Sequence, residues 1–201
     1  MIKIPVINKY GIIYMDPPWD YKRKGGPKHI GTAAQTYATL KDEDVYNLNI
    51  DELAADDCFL FLWATWPKLK EGMTAIEKWG FRYVTAAFVW VKTNKKQVDT
   101  VFWGSGHYTR ANTESCLLGV KGKPKVLYHG VHQVIPYEDL EEVMPSELVV
   151  PNTKHSKKPE EARNRIIKLC GDIKRIELFA TEDTVGWDTW GDELFKNLEG
   201  D

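Results

Sequence analysis

Asp16, Pro17, Pro18 and Trp19 stand in a row inside YMDPPWDYKRKGG, residues 14–26. Asp16 offers carboxylate acceptors directly after an apolar run. Neither proline can donate a backbone hydrogen bond, so the pair ends any sheet ladder that reaches it. A residue ahead of a proline is driven to extended geometry. The carbonyls of Asp16 and Pro17 therefore project in a set direction from a stiff segment. Trp19 adds an exposed-looking π face. Rigid acceptors beside a stacking surface suit a flat group with an amino substituent: a nucleobase with an exocyclic amine. The plain alternative is a proline-rich turn with a surface acid and a packed tryptophan. The four residues together, at the end of an apolar strand, are more specific than an isolated proline pair.

Other reactive side chains give weaker signals. His129 and His132 in HGVH lack a cysteine or acid to complete a metal site, so no metal is expected. GSGH (104–107) lacks the Lys-Ser/Thr of a phosphate loop. Cys58, Cys116 and Cys170 form no CxxC pair and sit in apolar runs, as buried thiols in a reducing compartment do. Lysines and arginines cluster at Lys22, Arg23, Lys24 and Lys28, at Lys92, Lys95 and Lys96, and at Lys154, Lys157 and Lys158. Taken alone, each cluster is read as a solvated loop before a binding patch.

The frame that must position these residues is an α/β one. GIIYM (11–15) reads as a short strand and residues 17–36 as a Gly/Lys-rich loop. Residues 42–54 read as one or two short helices. CFLFLW (58–63) is a continuous apolar run, as in a strand buried on both faces. A helix is expected from Pro67 to Trp79, with Leu69, Met73 and Ile76 on one face and Gly80 as its stop. FRYVTAAFVWVK (81–92) and ESCLLGVKG (114–122) read as strands. Residues 123–153, acidic and broken by prolines in their second half, read as a surface insertion. KPEEARNRIIKLCG (158–171) is a helix opened by Pro159, with Ala162, Ile166, Leu169 and Cys170 inward and Gly171 as its stop. RIELFA (175–180) is the last strand. Strand–helix alternation with doubly apolar strands predicts a mostly parallel sheet.

The length of 201 residues fits a single domain, 1–201, with a sizeable core. Composition is that of a soluble globular protein: 43% hydrophobic and 28% charged. The net charge of −2 excludes a uniformly basic nucleic-acid binder, so any such contact comes from local patches. No signal peptide and no 18-residue apolar run appear, which predicts a cytoplasmic protein with no membrane span.

Several segments, in order, resemble one family. They are DPPW (16–19), LFLWAT (60–65), WGFRYV and FVWVKTN within 79–94, GHYTRANTESCLLGVKGKP (106–124), HSKKPEE (155–161), RIELFA (175–180) and GWDTWGDE (186–193). The family is the adenine amino-methyltransferases named for the 70-kDa subunit of the eukaryotic mRNA adenosine methylase. The resemblance covers about residues 11–193. It implies a single Rossmann-like methyltransferase domain with a circularly permuted motif order, the catalytic motif preceding the cofactor motif. It also implies S-adenosylmethionine as methyl donor. Asp16, Pro17, Pro18 and Trp19 match the catalytic motif, with acceptors on the adenine amino group and Trp19 holding the base flat. Cofactor-side positions are Asp16, Ser156, Lys158, Glu177, Leu178, Phe179, Thr181, Asp192 and Glu193. Lys158 matches the lysine that meets the methionine carboxylate; its plain alternative is a lysine opening an exposed helix. Thr181 departs from the arginine usual after the strand-end motif, and Asp192 from the usual asparagine. Substrate-side positions are Trp19, Lys22, Arg23, Lys24, Lys92, Tyr108 and Glu114, the last of which reads equally as a strand-edge acid.

The resulting expectation is methyl transfer to the 6-amino group of adenine in nucleic acid, DNA before RNA, because compact stand-alone members look like those of bacteria and phages. A catalytically weak scaffold subunit is the rival reading. Family members commonly pair two such domains, which leads to the expectation of a homodimer.

Overall fold

The computed structural model describes residues 2–21, 39–93, 100–102, 104, 108–135 and 158–191. The first apolar run is strand β1, Tyr10–Met15. Two short helices follow, α1 (Asp42–Tyr46) and α2 (Ile50–Leu53). CFLFLW lies within a longer strand, β2 (Ala54–Ala64), buried continuously from Cys58 onward. The helix expected to open at Pro67 starts later. Trp66–Lys68 form a 3₁₀ turn that holds Pro67, and α3 runs over Leu69–Lys78. Then come β3 (Arg82–Val91), β4 (Thr113–Lys121) and β5 (Val134–Ile135). Helix α4 (Glu160–Cys170), β6 (Arg175–Leu178) and β7 (Asp188–Trp190) complete the order.

One sheet collects the strands in the order β5-β3-β4-β2-β1-β6-β7. The pairs β2/β1, β1/β6, β6/β7 and β3/β5 are parallel, and β4 opposes both β2 and β3. The result is the mostly parallel α/β sheet that the doubly apolar strands predict, and it is consistent with the Rossmann-like domain that the resemblance implies. The edge strands β5 and β7 are two and three residues long, too short for a period to show in sequence.

The sheet is covered on both faces. Along β1, Ile13 and Met15 enter one core and Ile12 and Tyr14 the other. Ala75 and Ile76 of α3 join the first; Ala162, Ile166 and Cys170 of α4 join the second. Large side chains such as Leu60, Phe61, Leu62 and Trp63 are essentially removed from water, each contributing roughly 1.5–3 kcal/mol. Two-sided burial is why β2 reads as a continuous apolar run rather than an alternating one. All three cysteines are free and buried, and burial pushes the Cys58 and Cys170 thiols up to about 12. Among the described residues no helix is long and apolar enough to cross a membrane.

Register brings three strand ends together. Met15 pairs with Leu62 on one side and Leu178 on the other. Whatever follows β1, β2 and β6 therefore shares the carboxyl edge of the sheet, where open α/β sheets bind ligands.

Candidate active site

Asp16 is the first residue past β1 and is half-buried. The two prolines after it are buried and pinned. The Pro17 carbonyl accepts the Trp19 N–H at 2.8 Å, a three-residue turn centred on Pro18. The Pro18 carbonyl accepts the Leu40 N–H at 2.7 Å, and the Leu40 carbonyl accepts the Asp20 N–H at 3.0 Å. One lone pair of the Pro17 carbonyl remains for another donor.

Trp19 corrects the sequence reading. It is 3% exposed, not a surface ring. Its indole Nε1–H donates to the Trp63 carbonyl at 3.0 Å, at the end of β2, and its ring packs into the core on the α3 side. A tryptophan can be buried this way because the strand end supplies its one donor with an acceptor. Trp19 thus anchors the Asp16–Pro18 segment to β2.

Four charged side chains form a chain across the sheet's edge. Lys158 Nζ lies 2.5 Å from Asp16 Oδ2 and 3.2 Å from Glu114 Oε2. Lys92 Nζ lies 2.5 Å from Glu114 Oε1. The Lys158 ammonium also sits 5.5 Å from the Trp63 ring centre, a cation–π contact. Burial opposes the charge on Lys158, but Asp16 and Glu114 outweigh it and hold the ammonium protonated well above the ordinary lysine range. Burial likewise opposes the Glu114 charge, and the two lysines overcome it, so this carboxyl titrates below its usual range. For Asp16 burial prevails: its carboxyl is raised, with Lys158 pulling down and Glu114 pushing up. The arrangement is an acceptor of poised basicity, 26% exposed at its side chain, facing a cation that is held in place from two sides.

The end of β6 carries an ion pair of its own. Both oxygens of Glu177 are taken by Arg163 of α4, at 2.7 and 2.8 Å, in a buried bidentate pair. Leu178 and Phe179 are buried, and Phe179 has φ = 62°, a left-handed conformation unusual for a bulky residue. Its ring meets Trp190 edge-on at 5.4 Å. Gly191 makes this turn possible: a Cβ there would lie 2.6 Å from Phe179 Cα. Strained backbone of this kind concentrates at ligand sites. Thr181, two residues on, is exposed.

Asp16, Lys158, Glu114 and Lys92 are brought together, and Phe179 stands beside them at the neighbouring strand end. Tyr108 is fully solvent-exposed. Lys22, Arg23, Lys24, Ser156, Asp192 and Glu193 lie outside the described residues. Arg163 and Trp63 were not singled out in the sequence. An acid inside the apolar run RIELFA and an arginine beside an apolar helix face were the available signals for the first.

The donor set suits a molecule with a carboxylate near Lys158. A lysine has three N–H donors; Asp16 and Glu114 engage two, and one remains. The MT-A70 family model matches residues 10–193. The chain is 35% identical to the type II methyltransferase M.MunI of a Mycoplasma species, over 94% of this chain and 79% of that protein. It is 32% identical to the human N(6)-adenosine-methyltransferase catalytic subunit METTL3, over 96% of this chain and 30% of that protein. An Arabidopsis thaliana N(6)-adenosine-methyltransferase MT-A70-like is 28% identical, over 96% of this chain and 25% of that protein. With its carboxylate, pinned prolines and strand-end turn inside a match that spans nearly the whole sheet, this chain belongs to the MT-A70 family of methyltransferases.

Proposed function

We propose that the chain transfers a methyl group from S-adenosylmethionine to the 6-amino nitrogen of adenine in DNA. The observation that carries this reading is the Asp16 carboxylate, fixed past β1 by two pinned prolines and held 2.5 Å from the Lys158 ammonium.

The amino nitrogen of adenine is a poor nucleophile, because its lone pair is delocalised into the ring. Asp16 and the free lone pair of the Pro17 carbonyl would accept its two hydrogens. That pulls the nitrogen toward tetrahedral geometry and stabilises the positive charge that develops as the new bond forms. S-adenosylmethionine supplies an electrophilic methyl group on a sulfonium. Lys158 would hold the cofactor's carboxylate with its third donor. Phe179 and the backbone around it would border the cofactor, and Thr181, Ser156, Asp192 and Glu193 would complete that side. Trp19, buried, would act by holding Asp16, Pro17 and Pro18 in register. Lys22, Arg23, Lys24, Lys92 and Tyr108 remain proposed substrate contacts, Lys92 also bracing Glu114.

DNA is placed first because the compact relative, matched over 79% of its own length, is the type II methyltransferase. METTL3 is an adenosine-methyltransferase by name, which keeps RNA as the second reading. A homodimer would supply the basic surface that a chain of net charge −2 lacks, and light scattering of the active species tests it. The decisive experiment is transfer from labelled S-adenosylmethionine to duplex DNA, single-stranded DNA and RNA, followed by digestion to nucleosides. Label in N6-methyldeoxyadenosine supports the proposal. Label only in N6-methyladenosine moves the substrate to RNA. No label in either overturns it.

A further inference from the structure

We propose that Trp66 is a stacking platform for the nucleobase adjacent to the methylated adenine. The inference rests on the reading of the site as an adenine methyltransferase and adds a substrate contact to it.

Trp66 is 46% exposed, and among the described residues it is the only exposed tryptophan. It is nonetheless held. Its backbone opens the 3₁₀ turn that follows β2, immediately before Pro67. Its indole Nε1–H donates to Thr113 Oγ1 at 2.8 Å. The donor is thus satisfied on the protein side, and much of the ring is left to solvent in a fixed orientation. A ring ordered in advance loses little freedom when it binds.

Position puts this ring at the same end of the sheet as the candidate site. Thr113 is the neighbour of Glu114, whose carboxylate holds Lys158. Side chains alternate along a strand, so Thr113 and Glu114 present Trp66 and Lys158 on opposite sides of the same strand end. Thr65, directly before Trp66, bonds through Oγ1 to the Tyr21 hydroxyl at 2.8 Å, two residues beyond Trp19. Trp66 is therefore linked through one residue on each side to the elements that frame Asp16. A base taken from its stack to reach Asp16 leaves its neighbours without a stacking partner. An aromatic face at the rim restores it, and such faces are tolerant of sequence because every base has a π surface.

The test uses fluorescently labelled single-stranded oligonucleotides, one series of DNA and one of RNA, each with a single target adenine. Each has a variant abasic at one flanking position. Trp66→Ala is expected to weaken binding by roughly five- to a hundredfold, the range of one base–aromatic stack. S-adenosylmethionine affinity should stay unchanged. Trp66→Phe should retain most of the binding. An abasic site on one flank should cost the wild type a comparable factor and cost Trp66→Ala nearly nothing. The series that shows this coupling identifies the polymer. Wild-type affinity in Trp66→Ala, with methyl transfer intact, removes the platform and leaves the enzyme reading standing. Loss of equal size in the abasic and intact oligonucleotides also overturns stacking. A wild type that neither binds nor methylates either polymer overturns both.

Discussion

Lys158 and Asp16 are 142 residues apart in sequence, and their charged atoms are 2.5 Å apart at the edge of the sheet. One residue lies two positions before α4 and the other directly after β1. Their contact joins the proposed catalytic segment to the segment proposed to meet the methyl donor, so a change to either partner reaches both halves of the proposed reaction.

Asp16→Ala is expected to abolish methyl transfer while leaving the sheet intact, because the carboxylate acts on charge that develops in the transition state. Asp16→Asn should also be severely impaired, since one amide oxygen carries no full charge. Single-turnover rates at saturating cofactor give the measurement. A residual rate above about a tenth, a loss smaller than the roughly 1.36 kcal/mol of a tenfold change, would remove Asp16 from the chemistry.

Lys158→Ala should weaken S-adenosylmethionine binding by about ten- to a hundredfold, from a charge-assisted bond of roughly 1.5–3 kcal/mol. Calorimetric titration reads this directly. It should also lower stability, because Asp16 then faces Glu114 with no cation between them. Unchanged cofactor affinity with lowered stability would leave Lys158 a purely structural link.

The pH profile should carry the Asp16 shift. Its carboxyl is raised by burial and by Glu114, against the pull of Lys158. In the proposed reaction the ionised form accepts the amino hydrogens. The acidic limb of kcat/KM should therefore lie above the ordinary aspartate range. Glu114→Gln removes a negative neighbour and leaves Lys158 to Asp16 alone, so the limb should move to lower pH. For stability the signs are opposite at the two acids. The lowered Glu114 carboxyl contributes stability above its unfolded value and loses it as pH falls through its folded value. The raised Asp16 carboxyl opposes folding once ionised, and acidification relieves that cost. A limb that rises or stays put in Glu114→Gln contradicts the shared-cation account.

Glu177→Ala should destabilise the fold by about 3–5 kcal/mol, because it strands a buried guanidinium. Replacing both partners, Arg163→Met with Glu177→Leu, should recover much of that loss. Chemical denaturation of the three variants gives the comparison. A stable Glu177→Ala protein with weakened cofactor binding would instead return Glu177 to the cofactor side.

The sequence by itself determined the sheet class and the place of the Asp16–Pro18 segment just past β1. Apolar runs such as CFLFLW can only be satisfied by burial on two faces, and two prolines after an apolar strand must end it. Pro159 and Gly171 bracket α4 as local backbone rules require, the glycine at φ = 86°. What tertiary structure alone decided were the partners. Trp19 could have been a surface ring; it packs into the core, where the Trp63 carbonyl near the end of β2 accepts its indole N–H. Glu177 could have lacked a partner in the chain; a guanidinium one turn into α4 bonds both its oxygens. Lys92 could have stood in a solvated loop; it braces Glu114. None of these choices is encoded locally. A buried donor or charge takes whichever complementary group the packed chain brings within reach, and that is set by strand order and register, not by neighbours in sequence.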